Sequence, residues 1–155
     1  MSDQQNDPYA ALQDRLAKTT DEARAAAVAK RHARGGRTAR ENLADLTDGG
    51  AVSEYGQLAV AAQRTRRKGD ALYAETAADA VITAVGAVNA ELFPIEKSQT
   101  ALIINDYTVL AGTQGYFHHR KIDRLLEIAE QDDLPIMMYT EGGGGRPGDT
   151  DVWVS

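Results

Sequence analysis

The most informative candidate for chemistry in this chain is a glycine-rich loop, and the side chains offer no thiol and no evident metal site. There is no cysteine among the 155 residues, which excludes disulfides, thiolate metal sites and cysteine nucleophiles. Of the three histidines, His118 and His119 are adjacent and have no carboxylates at ligand spacing. Packing or solvent is a better reading for them than a metal, and no metal is expected. The glycines are more informative. Glu141-Gly142-Gly143-Gly144-Gly145-Arg146-Pro147-Gly148 places four consecutive glycines behind an apolar run at 136–140. Glycine lets the backbone approach a ligand closely and present unpaired N–H groups, which suit a phosphate or a developing oxyanion. The loop has no Gly-Lys-Ser/Thr, so it is not a P-loop, and Pro147 stands where a dinucleotide fingerprint needs its third glycine. By spacing alone the stretch reads equally as a flexible turn.

A second constellation is Asp106-Tyr107-Thr108-Val109-Leu110-Ala111-Gly112-Thr113-Gln114-Gly115, leading to His118 and Arg120-Lys121-Ile122. A strand that ends in small residues and turns into a helix creates a close backbone approach beside a helix N-terminus, which favours anions. Tyr107 at the strand end reads as core. Arg64, Arg66, Arg67 and Lys68 read as a solvated basic loop, with contact to a phosphorylated ligand as the rarer alternative. Arg146 fits a ligand contact or a loop anchor equally. Asp132-Asp133 reads as a solvated helix end, and Asp149 and Asp151 as an exposed acidic tail.

The elements that would position these loops follow from periodicity. Asp7 and Pro8 suit the start of a helix, and Tyr9, Leu12, Leu16 and the alanines to Val28 predict one long, weakly amphipathic helix over 8–34. Gly35-Gly36 ends it. Thr38 with Glu41 predicts a capping box and a short helix over 39–46, stopped by Asp48-Gly49-Gly50. Residues 80–89 and 98–110 are rich in Val, Ile, Thr and Ala and predict strands, joined by a connection over 90–97 in which Pro94 limits pairing. A helix over 116–131 carries Ile122, Leu125, Leu126 and Ala129 as its apolar stripe. Pro135 opens a short run at 136–140 suited to a buried parallel strand. Strand, strand, helix, strand predicts an α/β fold with a crossover connection. The formal charge of −6 argues against general nucleic-acid binding. Residues 1–7 are too polar and acidic for a secretory signal. No apolar run approaches the ~20 residues of a membrane helix, so no membrane partner and a cytoplasmic location are expected.

Read together, these segments resemble the biotin-dependent acyl-CoA carboxyltransferases (acetyl- and propionyl-CoA carboxylase beta-subunit-like, in the crotonase superfamily). That family carries Phe-Thr-Val-x-Gly-Gly-Ser-x-Gly, then His three residues on and Lys-Ile, and residues 107–122 lie on this pattern. Residues 141–146 fall on its Asp-Ser-Gly-Gly-Ala-Arg. Residues 37–50 match its Leu-Thr-Ala-Arg-Glu-Arg-Ile and Asp-x-Gly turn through Thr38-Ala39-Arg40-Glu41, Leu46, Asp48 and Gly50. Residues 79–88 match its Asp-Gly-Val-Val-Thr-Gly-Tyr-Gly-Thr-Ile strand through Val81, Thr83 and Gly86. Ala111, Thr113, Glu141 and Gly142 depart from the pattern, standing for glycine, serine, aspartate and serine.

The resemblance implies a partial ClpP/crotonase-like α/β fold with an N-terminal helical extension, divided as a helical segment at 1–36 and a carboxyltransferase portion at 37–155. It implies transfer of a carboxyl group from N-carboxybiotin to the α-carbon of an acyl-CoA. Gly143 and Gly144 then supply backbone oxyanion donors, and Gly112, Thr113, Gly142, Gly145 and Arg146 contact CoA. Biotin would be carried on a partner protein or domain, with biotin carboxyl carrier and biotin carboxylase components as partners and a homo- or hetero-oligomer as the assembly. A second donor segment of this fold would lie beyond Ser155, so the isolated chain is expected to be inactive. The alternatives are a non-catalytic scaffold segment of such a complex and a crotonase-fold acyl-CoA decarboxylase or hydrolase.

Overall fold

The computed structural model describes residues 7–151; the polar stretch at 1–6 lies outside them. In chain order the elements are α1 (Pro8–Ala17), α2 (Ala25–His32), α3 (Ala39–Leu46), β1 (Val52–Tyr55), α4 (Asp70–Glu75), β2 (Val81–Ala87), α5 (Ile95–Ser98), β3 (Gln99–Asn105), α6 (Tyr116–Gln131) and β4 (Ile136–Tyr139). The sheet has the order β1-β2-β3-β4. The first two pairings are antiparallel and β3–β4 is parallel, with Ala101 opposite Ile136. α6 makes the crossover between the parallel pair, as the strand–helix–strand order predicts.

Alternation along the central strands builds two cores. Ile82, Ala84, Leu102 and Ile104 point to one face and meet Ala39 and Leu43 of α3. Val81, Ala101 and Ile103 point to the other and meet Leu125 and Ala129 of α6. Each fully buried Val, Leu or Ile side chain among these contributes about 1.5–3 kcal/mol. The layers are therefore helix, sheet, helix. α3 starts with the expected capping box: Glu41 N–H donates to Thr38 Oγ1 at 3.0 Å and Thr38 N–H to Glu41 Oε2 at 2.7 Å. Arg40 pins α3 to β1 through both carboxylate oxygens of Glu54, at 2.6 and 3.1 Å.

Four expectations are corrected. The helix over 8–34 is broken into α1 and α2. Thr19 and Thr20 turn their hydroxyls onto the carbonyls of Leu16 and Ala17, and Arg24 caps the break by donating to Lys18 C=O at 3.0 Å while pairing with Asp106 at 3.0 Å. The strand over 98–110 stops at Asn105, because Asp106 Oδ1 accepts the Thr108 N–H at 2.9 Å and bends the chain away from the ladder. On α6, Leu126 is exposed, while Ile128, His118 and Lys121 are buried. The run at 136–140 does form a parallel strand, but Ile136, Met137 and Met138 are 49%, 43% and 44% exposed. β4 is an edge strand, and α3 and α6 are centred on β2 and β3.

Candidate functional site

The two glycine-bearing loops leave the C-terminal ends of the adjacent parallel strands β3 and β4, and they interlock. Gln114 N–H donates to Gly144 C=O at 2.9 Å and Arg146 N–H to Gln114 C=O at 2.8 Å, a short parallel bridge. A Cβ on Gly112 would lie 2.4 Å from the Glu141 carbonyl oxygen, and one on Gly142 would lie 2.3 Å from that of Gly112. Both positions need glycine so that the loops can touch. Ala111 keeps a left-handed φ of 53°, a conformation glycine adopts without strain.

This packing redistributes the expected donors. Gly143 N–H donates to Ala111 C=O at 3.1 Å, so its assignment as an open oxyanion donor is corrected: the amide is taken by the neighbouring loop. Gly144, exposed and at φ 86°, turns the chain, and among the described residues neither its N–H nor that of Gly145 has a partner. Gly142 and Gly145 are exposed on the same bend, whereas Gly112 is buried. The Thr113 hydroxyl is turned back onto Leu110 C=O at 2.7 Å.

Arg146 is a loop anchor. Its guanidinium donates to Thr113 C=O at 2.9 Å, to both oxygens of Asp149 at 2.8 and 3.0 Å, and to the Asp79 carboxylate. Burial works to lower its pKa, but the carboxylates of Asp149 and Asp79 outweigh burial and raise it, so the cation is fixed. Asp149 is correspondingly no exposed tail: it also accepts from Gln63 Nε2 at 2.9 Å and from Tyr116 N–H at the start of α6 at 3.0 Å. Asp151 accepts from the amides of Arg64 and Thr65, which ties the basic loop to the C-terminal segment. Asp79 begins the segment that resembles the family, but nothing in its spacing pairs it with Arg146, 67 residues later; Asp149, three residues from Arg146, likewise reads in the sequence as a tail and not as its partner.

Beneath this anchor lies a polar core. Ala78, Asp79 and Ala80 have φ values of 50°, 48° and 62°. The turn is held by His118 N–H donating to Asp79 Oδ2 at 2.7 Å and by Lys121 Nζ donating to Ala78 C=O at 2.7 Å and to Val81 C=O. Burial pushes His118 down to about 4, and the nearby cations of Lys121 and Arg146 push the same way. Burial likewise lowers Lys121 to about 8. His118 is thus a packed, neutral histidine. Tyr107 corrects the core expectation: it is 38% exposed, with the Arg31 guanidinium 5.1 Å from its ring centroid.

No family model matches the chain. A solved single-chain, multi-domain long-chain acyl-CoA carboxylase does, with a TM-score of 0.88 and 48% identity over 93% of this chain and 14% of its own. Over most of its length the chain is homologous to the carboxyltransferases of acyl-CoA carboxylases. Its fold is accordingly the crotonase-type fold of the carboxyltransferase domain. The biotin-dependent long-chain acyl-CoA carboxylase beta4 subunit of Mycobacterium tuberculosis is 32% identical over 137 residues, 88% of this chain and 23% of that protein. The transcarboxylase 12S structure, a hexamer with methylmalonyl-CoA bound, superposes with a TM-score of 0.65 at 26% identity, over 79% of this chain and 22% of its own. This carboxyltransferase homologue therefore spans a quarter or less of the length of these relatives. No helix among the described residues is long and apolar enough to cross a membrane.

Proposed function

We propose that the chain forms the acyl-CoA-facing part of a cytoplasmic biotin-dependent carboxyltransferase, with the Gly144 and Gly145 amides aimed at the thioester oxygen. The reading is carried by one observation: of the tetraglycine bend, Gly143 is spent on holding two loops together, while the next two N–H groups are exposed and unpartnered among the described residues. Carboxylation at the α-carbon of a thioester requires loss of the α-proton. The electron pair left behind spreads onto the thioester oxygen, and N–H donors fixed in place stabilise that charge without reorganising. One such donor is worth about 3–4 kcal/mol in the transition state.

When bound, carboxybiotin would supply the carboxyl group, and the biotin left behind would take up the α-proton. The bend's exposure fits a donor carried on another domain or subunit, which is why biotin carboxyl carrier and biotin carboxylase components are read as partners in an oligomeric assembly. Arg146 acts here as a positioning residue: it fixes the loop at Thr113 and the turn at Asp79, so the bend keeps its shape while substrate enters.

The test is an amide-resolved titration of the chain with acetyl-, propionyl- and a long-chain acyl-CoA. The Gly144 and Gly145 resonances are expected to shift on saturation. A saturated complex that leaves both unmoved defeats the reading.

A further inference from the structure

The two stems of the tetraglycine bend are held by arginines from distant parts of the chain. Arg146 holds the outgoing stem through Thr113 C=O, Asp79 and Asp149. Glu141 is the incoming stem, and its carboxylate pairs with Arg31 near the end of α2. We propose that Arg31 is a second positioning residue for the bend, and that glutamate at position 141, where the family pattern has aspartate, is what allows it to be one. The inference rests on the thioester reading above and adds the pair of side chains that keeps the exposed amides aimed.

Space is the first argument. The Arg31 guanidinium passes over Gly36, where a built Cβ would lie 2.5 Å from both Cζ and Nε. Gly36 is not among the glycines with positive φ, so its backbone does not call for glycine; room for the guanidinium does. Beyond this gap Arg31 Nε donates to Arg37 C=O at 3.0 Å, and the guanidinium lies 5.1 Å from the Tyr107 ring centroid. Only 15% of the side chain is exposed. An ion pair between two mobile surface side chains contributes little, because ordering both opposes the attraction. Here the arginine is ordered by its other contacts, and its planar fork loses less freedom per bond than an ammonium would. Glu141 therefore meets a cation already in place.

Reach is the second. The Glu141 carbonyl oxygen would lie 2.4 Å from a Cβ on Gly112, so its main chain is packed against the neighbouring loop and cannot drift towards α2 without parting the two loops. The side chain must span the gap alone, and aspartate is one methylene shorter. Arg31 at position 141, the Ala111 carbonyl at Gly143 and Arg146 at the far stem then fix the bend at three points. The Gly144 and Gly145 amides lie inside that span. Donors held in place before charge develops are the ones that stabilise it without reorganising.

The experiment compares wild type, R31A, E141A, R31A/E141A and E141D as 155-residue chains, by amide hydrogen exchange without ligand and by titration with S-propionyl pantetheine, a thioester with no nucleotide. Exchange at Gly143 reports parting of the loops, because its N–H is bonded to Ala111 C=O. Exchange at Leu102, in the central strand β3, reports unfolding of the whole chain. Support would be Gly143 exchange at least about tenfold faster in every variant with Leu102 unchanged, and pantetheine binding at least about tenfold weaker. The double variant should be no worse than either single one, as for two residues acting as a unit, and E141D should behave as E141A does. Unchanged Gly143 exchange in R31A and E141A, a rise matched at Leu102, additive effects in the double variant, or E141D equal to wild type would each overturn the assignment. The thioester arm separates the two readings. If the pantetheine binds all five chains alike and shifts Gly144 in each, the thioester site stands and the role of Arg31 falls. If it shifts neither Gly144 nor Gly145 in wild type, the thioester reading falls, and Gly143 exchange alone decides whether Arg31 holds the bend.

Discussion

At the scale of single residues, the glycines of the two loops do different work, and substitution separates them. Gly112 is buried at φ 63° with no room for a Cβ, and Gly142 faces the Gly112 carbonyl. Gly112→Ala and Gly142→Ser are each expected to cost about 2 kcal/mol or more, measured by urea unfolding. Gly145, with no neighbour near a built Cβ, should accept alanine within about 0.5 kcal/mol. The family's serine thus has no space at position 142 in the present loop contact. His118 makes the pH prediction. Its folded pKa, about 4, lies below the ordinary 6.5, so between these values the unfolded chain binds a proton that the folded chain refuses. Stability should then be fully present above pH 6.5 and fall as pH drops towards 4, by up to about 3 kcal/mol. Burial pushes the Asp79 carboxyl up, with Arg146 pulling it back; its proton uptake opposes the loss at the acid end. His118→Gln should flatten the slope between pH 6.5 and 5; an unchanged slope would mean another group sets it.

At the scale of elements, the N-terminal helices are held by a few buried polar contacts. Arg24 and Asp106 form an ion pair with both side chains 8% exposed, linking the α1–α2 break to the end of β3. Removing one partner strands the other, so Arg24→Ala is expected to cost about 3 kcal/mol and to raise hydrogen exchange selectively in α1 and α2. Thr38 does double duty: it caps α3, and its buried hydroxyl donates to Asp21 Oδ2 at 2.5 Å. Thr38→Ala should therefore fall at the upper end of cap losses, about 2 kcal/mol. A loss of only a few tenths would show that the Asp21 contact contributes nothing.

At the scale of the whole molecule, the sheet is covered in the middle and bare at one side. β4 exposes Ile136, Met137 and Met138, and its outer edge pairs with no strand among the described residues, the arrangement that invites strand addition. The chain by itself should sediment with concentration-dependent association, and Met137→Lys should reduce it. Sedimentation as a monomer at every concentration would contradict this.

Local physics was legible without coordinates. The Thr38–Glu41 box, the limits of α3 and α6 and the β-rich character of β2 and β3 are set by neighbours within a few residues. The glycine-marked loops resembled the family through their order and spacing, although Ala111 and Gly142 depart from its pattern. The tertiary structure alone decided what long-range contact decides. The 8–34 segment breaks where Thr19 and Thr20 turn onto nearby carbonyls, but what holds the break in place is the long-range reach of Arg24 to Asp106. An apolar run looks the same on an edge as in the middle of a sheet, so the exposure of β4 depends on where α3 and α6 lie. Arg146 could not be read as anchor or ligand contact until folding brought Asp79 to it, and four like glycines could not be told apart until the Ala111 carbonyl claimed one amide and left the next two open.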